Sequence, residues 1–109
     1  MELSKKDKKI VHQIIEMGLH KEFANGLNMM HSILTEWKEK NLDSREIYHL
    51  FYKKLMGFNK HIARRYDYMT GSKYLFIVAE QLHEGLISLE DMKELSEEAI
   101  RKITFLSGS

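Results

Sequence analysis

The chain has 109 residues with no cysteine and no proline, and its 17 Lys and Arg almost balance its 16 Asp and Glu, for a formal charge of +1. This length suits one domain with a modest core, so residues 1–109 are read as a single helical domain. Without cysteine there is no disulfide framework and no thiolate chemistry, and the near-neutral balance gives no global attraction to nucleic acid or an anionic membrane.

The first ten residues, MELSKKDKKI, lack the apolar core of a signal peptide, and the most apolar run, YLFIVA at 74–79, is far shorter than the ~20 residues a spanning helix needs. A cytoplasmic protein without a membrane segment is expected. Proline normally punctuates loops and sheet edges, so its absence suits long helices. No alternation of apolar and polar residues persists as it would in strands. The class is all-α.

Ser4 and Asp7 resemble a capping box that starts a first helix. Its apolar stripe runs through Ile10, Ile14 and Ile15, Leu19, Phe23, Leu27, Met30, Ile33 and Leu34, and Trp37, at the spacing of one helical face. Asn25-Gly26 is a turn signal, but the stripe passes through it without a change of phase. One long helix is expected, with a bend near Gly26 left open. Asp43 or Ser44 caps a second helix whose stripe is Ile47, Leu50 and Phe51, Leu55, Phe58, Ile62 and Tyr66. Gly71 then suits a C′ residue and Ser72 an N-cap, with a bend that does not fully break the helix as the alternative, and the run 74–82 is apolar nearly all round, as in a mostly buried helix. Gly85 closes that helix. Ser88 and Asp91 repeat the capping-box pattern, with Ile87 and Met92 placed for a hydrophobic staple, before a last helix that buries Leu89, Met92, Leu95, Ala99, Ile100 and Ile103 and leaves 107–109 as a tail.

About four helices in antiparallel packing follow, the first two long. A helix over 5–40 would measure ~50 Å, against a radius of gyration of ~13 Å for a compact domain of this size. The overhanging part stays apolar to Trp37, and a second copy of the chain is the simplest cover for it. An intertwined homodimer is expected.

Catalytic signatures are absent from the sequence: no cysteine, no glycine-framed serine, no phosphate-cradling glycine loop. Glu80 and His83 have the Glu-x-x-His spacing of di-iron bundles, but such sites need two pairs and two further inward carboxylates, and the reading is a chance pair on an exposed helix end. The expectation is a non-enzyme without cofactor or metal. Charge is more informative. Within 45–65 the bases Arg45, Lys53, Lys54, Lys60, Arg64 and Arg65 face Glu46 alone, and within 80–98 the acids Glu80, Glu84, Glu90, Asp91, Glu94, Glu97 and Glu98 face Lys93 alone. Such runs are usually solvated faces; the sharper reading is a docking surface on the second helix, including His49, Lys53, Lys60 and Arg64, for an acidic protein or a nucleic acid.

Residues 64–95, RRYDYMTGSKYLFIVAEQLHEGLISLEDMKEL, resemble the most characteristic block of the cyanobacterial fluorescence recovery protein family: Tyr-Asp-Tyr, a short polar step, a buried apolar helix, then Glu-Gly before an acidic helix. Upstream, LHKEFANGL at 19–27 is similar to that family's first-helix pattern. The resemblance implies an all-helical, cofactor-free, dimeric regulator that binds the photoactivated orange carotenoid protein and speeds its return to the resting form. It also exposes departures. The family's second-helix Trp, His-Asp pair and Arg, which serve the dimer and the carotenoid-protein contact, fall by ungapped counting on His49, Tyr52, Lys53 and Asn59. An ammonium in place of a carboxylate reverses charge, and the lost guanidinium fork has no substitute in Asn.

The resulting reading is a small regulatory or adaptor protein of that fold, binding itself and an unidentified protein other than a standard orange carotenoid protein. Its contact residues would be His49, Tyr52, Lys53, Asn59, Lys60 and Arg64. A helical nucleic-acid-binding module using the basic second helix is the alternative. Tyr66, Asp67 and Tyr68 are read as a structural junction, with Asp67 pairing an Arg or accepting backbone donors and the two rings anchoring the buried helix.

Overall fold

The computed structural model describes residues 3–108. Four α-helices follow one another: α1 (Lys5–Glu39), α2 (Ser44–Tyr66), α3 (Gly71–His83) and α4 (Glu97–Leu106), with a short 3-10 helix (Glu90–Met92) before the last. The described residues contain no strand. The all-α class with long first and second helices is what the proline-free, helix-periodic sequence dictates.

At its N-terminus α1 is capped by Ser4, whose Oγ accepts the Asp7 N–H at 3.1 Å. The expected reciprocal half of the capping box does not form. The Asp7 carboxylate turns away, accepting instead from the backbone N–H of Ser96 at 3.0 Å and from its hydroxyl at 2.6 Å. The helix then continues for 35 residues without interruption, and Asn25-Gly26 is no turn. Gly26 answers a packing need: a Cβ there would lie 2.6 Å from ring carbons of Phe58, closer than any side chain tolerates. The chain turns later, at Asn41 (φ 50°), where Leu42 N–H donates to Trp37 C=O at 3.1 Å in the manner of a left-handed helix end. Asp43 is the N-cap of α2, its carboxylate accepting the Glu46 N–H at 2.9 Å.

Contacts divide the chain into two compact units, one comprising the residues up to Lys21 and those from Tyr68 onward, the other Glu22–Asp67. The first has an ordinary hydrophobic core. Val11, Ile14 and Ile15 of α1, Leu75, Ile77, Val78 and Ala79 of α3, Leu86, Ile87, Met92 and Leu95 of the following segment, and Ala99 and Ile103 of α4 are all buried, and α3 packs on α4. Gln81 enters this core because its amide donates to the Ile15 C=O at 3.0 Å. Gly18 makes room for it, since a Cβ there would sit 2.3 Å from Gln81 Nε2.

Several local expectations for this unit change. The N-cap of α3 is Thr70, not Ser72, and Gly71 begins the helix; the left-handed residue after α2 is Tyr68 (φ 58°). Gly85 does close α3, at φ 75°, with Leu86 N–H donating to Gln81 C=O at 2.9 Å. The Ser88–Asp91 pair forms, with the carboxylate accepting the Ser88 N–H at 2.8 Å. It starts only the 3-10 turn, because the next helix has its own N-cap, Ser96, whose Oγ accepts the Ala99 N–H. Leu89, expected inside, is 60% exposed. Ser107 is buried, with its hydroxyl donating to Thr104 C=O at 2.7 Å, and so belongs to the end of α4; of the expected tail, Ser109 lies outside the described residues.

The second unit is an antiparallel helical hairpin. Its pairings run in opposite senses, Trp37 with Ser44 at the tip and Glu22 with Arg65 at the far end. Among residues 22–67 just Glu22, Met30 and Tyr66 are buried.

Candidate interaction site

The inner face of the hairpin carries one buried charge. Glu22 Oε2 accepts from His61 Nε2 at 2.9 Å, while Oε1 accepts from Arg65 Nη1 at 2.8 Å and from the Tyr66 hydroxyl. Burial alone pushes a carboxyl up. Here the hydrogen bonds from Tyr66, Arg65 and His61 and the charge of Arg65 outweigh burial, so Glu22 titrates below its ordinary value. Every oxygen of this carboxylate is thus engaged by a donor, which makes it a clamp between α1 and α2 more than a group free to move protons. Sequence reading passed over Glu22. The signal was its phase: it lies seven and eleven residues after the buried Ile15 and Val11, so an acid continues the buried stripe.

The other face of the hairpin is apolar and open. Phe23, Leu27 and Leu34 lie along one side of α1, and Tyr48 and Leu55 along one side of α2; Leu27 is 70% and Tyr48 68% exposed. Leu27 and Leu55 line one groove across the two helices, and Leu34 and Tyr48 line another. Within this face, Phe23 stacks on Phe58 with centroids 6.3 Å apart, and at the tip of the hairpin Trp37 Nε1 donates to Ser44 Oγ at 3.2 Å.

All six contact residues expected on the second helix stand on α2 and are exposed: His49, Tyr52, Lys53, Asn59, Lys60 and Arg64. At about 100° per residue, His49, Lys53, Lys60 and Arg64 fall on one outward face together with Arg45 and Gly57, whereas Asn59 lines the groove beside Phe23 and Leu27. The helix thus divides the set between its charged and its apolar side.

At the junction the three residues part company. Tyr66 is buried and donates to Glu22. Asp67 is exposed; its N–H donates to Ala63 C=O at 2.8 Å as α2 ends, and its carboxylate makes no hydrogen bond among the described residues. Tyr68 is 88% exposed. The expected Asp67 pairing is not present among the described residues, and the Tyr68 ring, on a left-handed backbone at φ 58°, stands exposed and does not anchor the buried helix.

A further surface, on the other unit, was missed from the sequence. Phe76, 55% exposed, and Phe105, 83% exposed, border a groove between α3 and α4 that Leu75 and Leu106 floor and Arg101 and Lys102 edge. Phe76 stands amid an apolar run, so periodicity could not single it out as the outward member. Of the Glu80–His83 pair, His83 is held by the end of α4: its Nδ1 lies 3.0 Å from the Ser107 carbonyl oxygen and donates to it.

No protein-family model matches the chain, and no curated protein sequence matches it. A solved structure of the fluorescence recovery protein of Fremyella diplosiphon is similar over nearly the full length, covering 98% of this chain and 99% of that one, with a TM-score of 0.81 at 18% sequence identity. The resemblance read from residues 64–95 therefore extends to the whole architecture, and the chain has the fold of fluorescence recovery protein.

Proposed function

We propose that this chain is a non-enzymatic regulatory adaptor that works as a homodimer and by binding another protein. The observation that carries this reading is the open apolar face of the hairpin, with Leu27 and Tyr48 about two-thirds exposed in a unit that buries just Glu22, Met30 and Tyr66. Each such side chain gains ~1.5–3 kcal/mol on full burial, and a symmetric copy offers the same surface in return. The likeness in fold to fluorescence recovery protein supports a binding role. The saturated hydrogen bonding of Glu22 supports a structural use for the buried charge.

The partner on this reading is not a standard orange carotenoid protein. His49, Tyr52, Lys53 and Asn59 are all exposed, so they would present their own shape and an added positive charge to any surface complementary to a Trp, a His-Asp pair and an Arg. Mismatches of that kind cost a few kcal/mol, a hundredfold or more in affinity. No helix among the described residues is long and apolar enough to cross a membrane.

Light scattering coupled to gel filtration tests the dimer: a mass near twice the 12.9 kDa chain is expected, and Leu27→Glu should reduce it toward one chain. A strict monomer overturns the dimer. For the partner, the dark recovery of a photoactivated orange carotenoid protein should be unchanged by a molar excess of this chain, and strong acceleration would overturn that part.

A further inference from the structure

We infer that the outward face of α2 docks an acidic amphipathic helix of a partner protein, crossing it at Gly57. This rests on the reading of the chain as a protein-binding adaptor and names the chemistry of what it binds.

Arg45, His49, Lys53, Lys60 and Arg64 repeat every three or four residues, with Gly57 in the one gap of the series. The series spans about 28 Å at 1.5 Å per residue. All five side chains are exposed, and none has an ion-pair partner among the described residues; Glu46 in the first turn is the sole carboxylate of α2. Cations one turn apart match carboxylates placed one turn apart on a second helix.

Gly57 supplies the independent observation. A glycine inside a helix is unfavourable relative to alanine, and such a residue usually relieves a close contact. Gly26 does so against Phe58, but a Cβ on Gly57 would meet nothing within 4 Å. Nothing within the chain uses the missing side chain. A second helix crossing there would, because helix axes approach according to the size of the side chains at the contact. Next to Gly57, Met56 at 39% and Tyr52 at 56% exposure add adaptable apolar surface, which favours a protein helix over a phosphate backbone. A second copy of the same face is a poor occupant, since symmetric crossing at Gly57 sets cations against cations.

The test uses fluorescence anisotropy with a labelled synthetic helical peptide of about 20 residues, long enough to follow the series, carrying Glu at every fourth position and Ala at its centre. Its controls are an isomer of the same composition with the Glu residues distributed around the helix, and a short duplex DNA. The patterned peptide should bind at least about tenfold more tightly than its isomer, and Lys53→Glu with Lys60→Glu should remove that difference. Gly57→Leu should weaken binding about tenfold while leaving helicity and melting temperature undiminished, because its side chain enters open space in the free protein. Equal binding of the two peptides, undiminished binding by Gly57→Leu, or tighter binding of the duplex would overturn the proposal. The mass of the same sample keeps the two readings apart: a dimer that ignores the peptide sinks the docking face alone, and a monomer that binds it sinks the dimer alone.

Discussion

Replacing Glu22 by Gln keeps the size of the side chain and removes its charge, which isolates what the clamp contributes. Arg65 and Glu22 have side chains only 6% and 8% exposed. Taking the charge from one partner of a buried pair costs about 3–5 kcal/mol when the other is left wholly uncompensated. Arg65 makes interactions besides this one, so the loss belongs below that range, at about 2–3 kcal/mol. The amide also brings a donor where His61, Arg65 and Tyr66 already donate. Urea denaturation followed by circular dichroism at fixed protein concentration measures this directly. A double-mutant cycle of Glu22→Gln and Arg65→Met should give a coupling of at least about 1 kcal/mol. The dependence on pH has a definite sign. Because Glu22 titrates lower in the folded chain than its ordinary value of 4.5, its contribution is complete above that value and is lost as pH falls through the folded pKa. Wild type should therefore lose stability on acidification more steeply than Glu22→Gln. A cost under about 0.5 kcal/mol, the size of an ordinary surface substitution, or parallel pH profiles for the two proteins, would refute the clamp.

Asp7→Ala should destabilise by about 1–3 kcal/mol, since it removes a buried acceptor of the Ser96 N–H and hydroxyl and leaves those donors without it; Asp7→Asn, which retains one oxygen, should cost less in the same denaturation experiment. Asp67→Ala should change stability by no more than about 0.5 kcal/mol, as for any exposed side chain without a partner, and a large drop in melting temperature would mean that its carboxylate is engaged after all. Gly18→Val should be among the most damaging single changes, because its side chain meets the buried amide of Gln81; a loss of about 2 kcal/mol or more is expected, with Gly57→Ala as the contrasting change that keeps or raises the melting temperature.

The sequence by itself determined the local structure. A proline-free chain with unbroken helical periodicity had to be helical, and Asp43 and Gly85 act where their chemistry requires, one accepting the free N–H of a first turn and the other taking a positive φ. Where two local signals competed, neighbours distant in the chain decided. Asn25-Gly26 reads equally as a turn or as a helix with a hole in it, and the ring of Phe58 selects the second. Ser4–Asp7 and Ser88–Asp91 carry the same capping pattern, yet Asp7 is drawn to Ser96, 89 residues away, and Asp91 closes only a single turn. The Glu22 clamp joins residues about forty apart in sequence, so no window of a few turns contains its meaning. The division of α2 into an apolar side and a cationic side was written in its periodicity. That the apolar side remains open in a single chain was decided by tertiary structure, because the hairpin has no third helix of its own unit to cover it.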